Sequence, residues 1–172
     1  MTDKTDNLEK AFNYVRTFYN EVARMLSDIM ELMSKVGWEA PPAGAITDGL
    51  SYTLDYPDQW MVHYVYKNFI NPTVNDHIKG IVVFFSEYMK KFPISIVGGK
   101  LNGSPNSFDR WGIYSLALNN KDKLQDLSGQ VIALSTLQYG KTFEGELFAI
   151  SLSEIESAQD VQEKIVKRLL EL

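Results

Sequence analysis

An uninterrupted apolar periodicity near the start constrains this chain more than any other feature of its sequence. The positions with this spacing are Leu8, Phe12, Val15, Tyr19, Val22, Leu26, Ile29, Met33 and Val36. Their alternating steps of four and three place all of them on one side of an α-helix. The sequence therefore predicts one amphipathic helix over residues 6–36.

Both ends of this helix carry recognisable signals. Asp6 and Glu9 have the spacing of a capping box, in which each side chain satisfies N–H groups at a helix start. Gly37 predicts the end, because glycine tolerates the left-handed conformation that closes many helices, and Pro41-Pro42 prevents the helix from resuming. Residues 1–5 are then expected to form a disordered tail.

The apolar stripe of the helix is broader than the seam of a two-stranded coiled coil, which favours packing on a sheet. About 31 residues at about 1.5 Å each give a rod of roughly 45 Å, whereas a domain of this size has a radius of gyration of about 16 Å. An end that overhangs the sheet would expose apolar residues unless another chain covered them. Phe12, Tyr19 and Leu26 are the interface residues expected for such a protein partner or for self-association.

From residue 49 onward the spacing of the apolar residues changes to two, which is typical of strands with one buried face. Residues 49–152 are therefore predicted to be mainly strands. The strands are expected over residues 50–56, 60–69, 78–88, 92–97, 108–118 and 143–152. Residues 98–106 are predicted to be a glycine-rich loop. Residues 124–137 fit either a helix or a strand, and we predict a short helical turn followed by a strand.

Residues 157–171 complete the predicted fold as a terminal helix, capped by Ser157 and Asp160. Short connections cannot cross over a sheet, so neighbouring strands should run antiparallel. The predicted class is α+β: a largely antiparallel sheet of six to seven strands, covered by the long N-terminal helix and the C-terminal helix. The length of 172 residues and the absence of a long linker predict a single domain over residues 1–172.

Composition excludes several classes of function. The chain has no cysteine, so disulfides, thiolate metal sites and cysteine nucleophiles are ruled out. The net charge of −5 makes nucleic acid an unlikely partner. The acidic start lacks the pattern of a secretory signal, and the longest apolar run, residues 81–85, is far shorter than the roughly 20 residues of a membrane span. We therefore expect a soluble cytoplasmic protein with no membrane segment.

Few side chains are arranged for chemistry. His63 and His77 are the only histidines, without the spacing of a zinc motif, so neither a metal nor a cofactor is predicted. The patterns of serine hydrolases and phosphate-binding loops are absent. If an acid/base site exists, its candidates are His63, Asp55 and Asp58 near the first predicted hairpin.

Aromatic residues are the most unusual part of the composition, at 12% of the chain. Trp60, Tyr64 and Tyr66 on the first hairpin could line a ligand pocket, or they could belong to an aromatic core beneath the long helix. The core interpretation is favoured, because a platform for stacking bases usually comes with a basic groove and the lysines here are dispersed.

Three hypotheses of function follow. The leading one is a non-enzymatic binding or regulatory protein that acts through protein contacts, because the first helix has a long apolar stripe and catalytic motifs are missing. The alternative is a small-molecule-binding domain, or an enzyme of unfamiliar type, with a cleft near the first hairpin. A nucleic-acid accessory protein is the third, and the acidic charge argues against it.

Overall fold

The computed structural model describes residues 2–41, 62–85, 94–103, 112–124, 128–138 and 140–172. The elements, in chain order, are α1 (Thr2–Ser34), β1 (Tyr64–Phe69), β2 (His77–Phe84), β3 (Ser95–Asn102), α2 (Gly112–Asn119), β4 (Ile132–Gln138) and β5 (Lys141–Ser151). A short 3-10 turn, Leu152–Glu154, leads to the terminal helix, which consists of Ala158–Asp160, a π-helical stretch Val161–Val166, and Lys167–Glu171. The α+β class predicted from the sequence is confirmed.

The described strands form one sheet in the order β1-β2-β3-β5-β4, and every neighbouring pair is antiparallel. The prediction of antiparallel pairing is therefore confirmed, but the predicted count of six to seven strands is too high for these residues, which form five. The strand predicted over 50–56 lies outside the described residues. The one predicted over 108–118 is replaced, where it is described, by α2.

Helix α1 begins earlier than the sequence signals indicated. It starts at Thr2, so the residues expected to form a disordered tail are helical from Thr2 onward. Asp6 does not cap the helix but lies within it, where its carboxylate pairs with the Lys10 ammonium at 2.8 Å.

The predicted end of α1 at Gly37 is confirmed. Gly37 has a φ of 84°, its N–H donates to the Ser34 carbonyl at 3.0 Å, and the N–H of Trp38 donates to the Met33 carbonyl at 3.0 Å. This pair of bonds is the Schellman motif, which usually includes an apolar contact across the turn. Trp38 and Met33 are both buried in the same core, in agreement with this usual contact.

Part of the segment predicted as a glycine-rich loop over residues 98–106 is instead strand: residues 98–102 belong to β3, the central strand of the described sheet, and residues 104–106 lie outside the described residues. Gly98 lies opposite Phe148 of β5, and Gly99 lies opposite Leu147. A Cβ on Gly98 would lie closer than 3.0 Å to the Phe148 ring, and one on Gly99 would be as close to the backbone of β5. The glycines are therefore required by packing between strands, which composition alone does not reveal.

The strand predicted over 108–118 is wrong from residue 112 onward, where the chain forms α2. Ile113, Leu116 and Ala117 have the helical spacing and are all buried against the sheet. A short apolar run fits a strand and a buried helix equally well, so tertiary packing decides between them. The side-chain amide of Asn120 donates to the Leu116 carbonyl at 3.0 Å and satisfies an acceptor at the end of the helix.

Helices cover both faces of the sheet. On one face, α1 and the terminal helix contribute Ile29, Met33, Ile165 and Leu169, which are fully buried, to a core that also contains residues from all four of the strands β1, β2, β3 and β5. On the other face, α2 packs on a second core. The predicted packing of both end helices on the sheet is confirmed.

The terminal helix is fixed at both ends. At its start the N–H of Asp160 donates to Ser157 Oγ at 3.1 Å, which confirms the predicted cap. Hydrogen bonds from Lys164 and Ser157 lower the pKa of the Asp160 carboxyl to about 2. At its end the buried Lys79 ammonium of β2 donates to the Leu169 carbonyl at 2.6 Å, and burial lowers the pKa of this lysine.

Candidate functional site: the exposed arm of the first helix

Burial divides α1 into two unequal halves. From Val22 onward, the residues of the periodic apolar pattern as far as Met33 are buried in the core. From Asp6 to Thr17, by contrast, every side chain is exposed except that of Val15, which is half-buried. We call residues 6–17 the arm. Twelve residues at about 1.5 Å each make it roughly 18 Å long.

The arm continues the apolar pattern of the buried half without a break. Leu8 is 59% exposed and Phe12 is 69% exposed, and together with Val15 they form what we call the arm stripe. Tyr14, at 74% exposed, lies on another side of the helix, because it is about 100° or more around the axis from each member of the stripe. Single exposed apolar residues are normal on a protein surface, but a contiguous group on one side of a helix indicates a contact surface.

Aromatic contacts fix the arm to the body of the protein. The rings of Phe18 and Tyr19 pack edge to face against Phe85, with centroids 5.6 and 5.3 Å from it. The Tyr19 hydroxyl donates to the Val62 carbonyl at 3.1 Å, just before β1. Partial burial raises the pKa of Tyr19. The direction in which the arm leaves the sheet is therefore set by packing and by a hydrogen bond.

An apolar groove begins where the arm ends. It has a volume of about 460 Å³ and is lined by Phe18, Glu21, Val22, Met25, Ile94, Ser151, Leu152, Ser153 and Ile155. Ile94, the residue before β3, is itself 44% exposed. Because Phe18 lies just beyond the arm and lines the groove, the groove continues the apolar surface of α1 towards the start of β3 and the end of β5.

Charged residues of the arm lie away from the arm stripe or along its flank. Asp6 and Lys10 form an ion pair with each other, and Arg16 donates to the side-chain oxygen of Asn13 at 3.0 Å. Glu9 and Arg16 are seven residues apart, so they lie on the same flank of the helix. The arm is thus a helix with an apolar stripe, a polar back and one flank that carries both charge signs.

The three predicted interface residues differ in their surroundings. Phe12 is exposed on the arm, and Tyr19 is half-buried at the point where the arm meets the body. Leu26 is only 7% exposed, because it packs in the core between α1 and the sheet. The surface that remains available to a partner is therefore the arm as far as Phe18 and Tyr19, without Leu26.

The candidate acid/base residues are only partly within the described chain. Asp55 and Asp58 lie outside the described residues. His63 itself directly precedes β1 and is half-buried, and its carbonyl accepts the N–H of Phe85 at 2.8 Å. This bond continues the pairing of β1 with β2 by one residue.

The candidate ligand-binding aromatics pack inside the protein where they are described. Trp60 lies outside the described residues. Tyr64 is 7% exposed and Tyr66 is 2% exposed, and the ring of Tyr64 stacks on that of Tyr114 from α2 at a centroid distance of 4.1 Å. Tyr64 and Tyr66 are therefore core residues, but they belong to the core under α2 and not to the one beneath the long helix, where the core interpretation placed them.

Metal-binding chemistry finds no support in the part of the chain that the structure describes, which contains no group of three or more histidine, aspartate or glutamate side chains placed to hold an ion. His77 pairs with Asp76 at 2.7 Å, and this hydrogen bond lowers the pKa of the Asp76 carboxyl. The His77 ring also lies against the indole of Trp38.

Among the described helices, none is long and apolar enough to cross a membrane.

Sequence reasoning missed the groove and the role of Lys79. The groove combines α1 with Ile94, which precedes β3, and with the end of β5 and the turn after it, and these segments carry no common sequence signal. Lys79 lies within the apolar pattern of a predicted strand. That pattern indicates a lysine that is either buried or at an edge of the sheet, but not the groups that it contacts. Its partners, the carbonyls of Leu169 and Leu170, are distant in the chain.

Comparison with known proteins gives no relationship: no family model, no curated protein and no solved structure matches this chain.

Proposed function

We propose that this chain is a non-enzymatic binding or regulatory protein that acts through protein contacts, and that the arm stripe is its contact surface. The observation that carries this proposal is the exposure of Leu8 and Phe12 in a pattern whose members from Val22 to Met33 are all buried. A helix needed only to cover its own sheet would not extend a matching apolar stripe into solvent. Helices of this kind are commonly bound by an apolar groove or by another helix.

The arm is suited to binding because it is already ordered. Short isolated helices are marginally stable in water, since the first turn is costly to form. Here the helix continues from a half that is fixed by fully buried Ile29 and Met33, so the arm extends an existing helix. A partner therefore does not have to supply the free energy of folding it, which favours affinity.

A double substitution tests whether the arm stripe belongs to the protein's own core. We expect Leu8→Gln/Phe12→Gln to change the free energy of unfolding by no more than about 0.5 kcal/mol in dilute solution, as is usual for surface positions. Chemical denaturation followed by circular dichroism measures this. A loss above about 2 kcal/mol is the size expected from core positions, and it would show that the chain itself covers the stripe.

Photo-crosslinking tests the contact itself. The photoreactive residue p-benzoylphenylalanine replaces Phe12 in one variant and Thr17, on the opposite side of the helix, in a matched control. In cells that produce the protein, we expect position 12 to yield protein adducts of defined mass that Leu8→Gln removes, and position 17 to yield none of them. Equal adducts from both positions, or none from position 12, would contradict a binding role for the stripe.

A further inference from the structure

The charges of the arm differ from those of the chain as a whole. The arm contains two acidic residues, Asp6 and Glu9, and two basic residues, Lys10 and Arg16, so its net charge is zero, whereas the whole chain carries −5. Two copies of the chain repel each other through their net charge. That repulsion is weakest where the two copies meet through neutral segments that stand away from the sheet.

The two charges on the flank of the arm stripe complement each other only in one arrangement of two helices. When two copies of a helix pair in antiparallel orientation, the same flank of each meets. Glu9 of one copy then faces Arg16 of the other, and the contact occurs twice because of the twofold axis. In a parallel pair this flank would instead meet the opposite one, where Ala11 and Phe18 offer no charge.

From this complementarity we propose that the arm binds the arm of a second copy of this chain in an antiparallel helix pair. The inference rests on the proposed function and names its partner. An axis between Phe12 and Asn13 brings the two Phe12 rings together near the centre. It also places Leu8 of each copy beside Val15 of the other, so the exposed members of the stripe cover one another.

The area of the stripe determines the strength of this pair. An aromatic side chain buries roughly 150–250 Å² in full, so Phe12 offers roughly 100–170 Å² and Leu8 a comparable amount. Stable complexes bury about 800 Å² per partner. Beyond the arm, the groove beside Phe18 and Val22 offers further apolar surface to a second copy. The pair therefore belongs to the weak, reversible class, and we expect it to dissociate on dilution.

Charge reversal of the full chain tests the antiparallel pairing. Sedimentation equilibrium over a concentration series at low salt should show the mass of the wild type rising from 19.6 kDa towards twice that value. Glu9→Arg and Arg16→Glu should each weaken dimerisation about tenfold, because both contacts become repulsive. The double variant Glu9→Arg/Arg16→Glu should restore dimerisation, because positions 9 and 16 of the two copies then carry opposite charges again. Since these positions are too far apart to pair within one helix, the recovery reports a contact between copies.

The possible outcomes separate this proposal from the proposed function. A dimer that ignores both reversals, or that the double variant does not restore, overturns the antiparallel pairing. A wild type that stays monomeric at all concentrations also overturns it. In that case, adducts between position 12 and a different protein would still support the proposed contact function. A monomer whose free energy of unfolding is strongly lowered by Leu8→Gln/Phe12→Gln contradicts both proposals. Phe12→Ala, which should also weaken the dimer, supplies an uncharged second variant.

Discussion

Gly99→Val should lower the free energy of unfolding by about 3 kcal/mol or more, the upper range for overpacking a core. A side chain at this position of β3 would lie closer than 3.0 Å to Leu147 and to the carbonyl oxygen of Glu146 on the neighbouring strand. A flexible side chain could move aside, but the backbone of β5 is held by its ladder with β3. The expected loss is a large part of the 5–15 kcal/mol that stabilises a typical domain.

Urea unfolding of Gly99→Val, followed by circular dichroism, measures this effect. Ser135→Val is the matched control, because it adds the same side chain at an exposed position of the sheet, on β4, and should change stability by no more than about 0.5 kcal/mol. If the valine variant does not fold, Gly99→Ala provides a milder substitution at the same site. Near-wild-type stability of both Gly99 variants would contradict the close packing of β3 on β5.

Phe148→Ala should cost about 3–5 kcal/mol, as is typical for removing a buried phenylalanine. The Phe148 side chain is fully buried, and its ring fills the space above Gly98 on the paired strand. The Arg168 guanidinium of the terminal helix lies 5.9 Å from the ring centroid. The substitution therefore leaves a cavity between the sheet and the helices, and it also removes a cation–π contact.

The same substitution on the arm provides the comparison. Phe12→Ala removes an equally large side chain that is 69% exposed, so in dilute solution we expect a change within about 0.5 kcal/mol. Thermal and chemical unfolding of the two variants at the same low concentration gives the difference. Equal losses at both positions would mean that Phe12 is packed within its own chain, against the structure.

The two end helices could be predicted from sequence because their signals are local. The seven-residue spacing of α1 is long enough to be unambiguous, and Gly37 closes the helix through bonds to its immediate neighbours. Ser157 likewise caps the terminal helix through a residue three positions away. Elements whose determinants lie within a few residues of one another leave a readable pattern.

The middle of the chain could not be predicted in the same way, because its determinants are distant. Gly98 and Gly99 belong to a strand only because Phe148 and Leu147 of β5 occupy the space beside them. The apolar residues of α2 fit two periods over so short a length, and their burial on the sheet selects the helix. Neither fact is visible without the paired strand or the packed face.

For the candidate site, the sequence indicated the surface but not its extent. Leu8 and Phe12 follow the same pattern as Val22 and Ile29, and the pattern does not say which pair is buried. That distinction depends on which part of the helix packs on the body of the protein; among the described residues, Phe85 makes this contact with Phe18 and Tyr19. The stripe was therefore predictable as apolar, whereas its exposure was not.

Reactivity of single cysteines tests most directly whether the arm stripe is uncovered in its own chain and covered by a partner. The sequence contains no cysteine, so Phe12→Cys, Thr17→Cys and Leu26→Cys each introduce one unique thiol for measuring the rate of labelling. In dilute solution Cys at position 12 should react as fast as at position 17 and far faster than at the buried position 26. At high concentration only position 12 should become protected. Protection of position 12 at every concentration, matching position 26, would contradict the account.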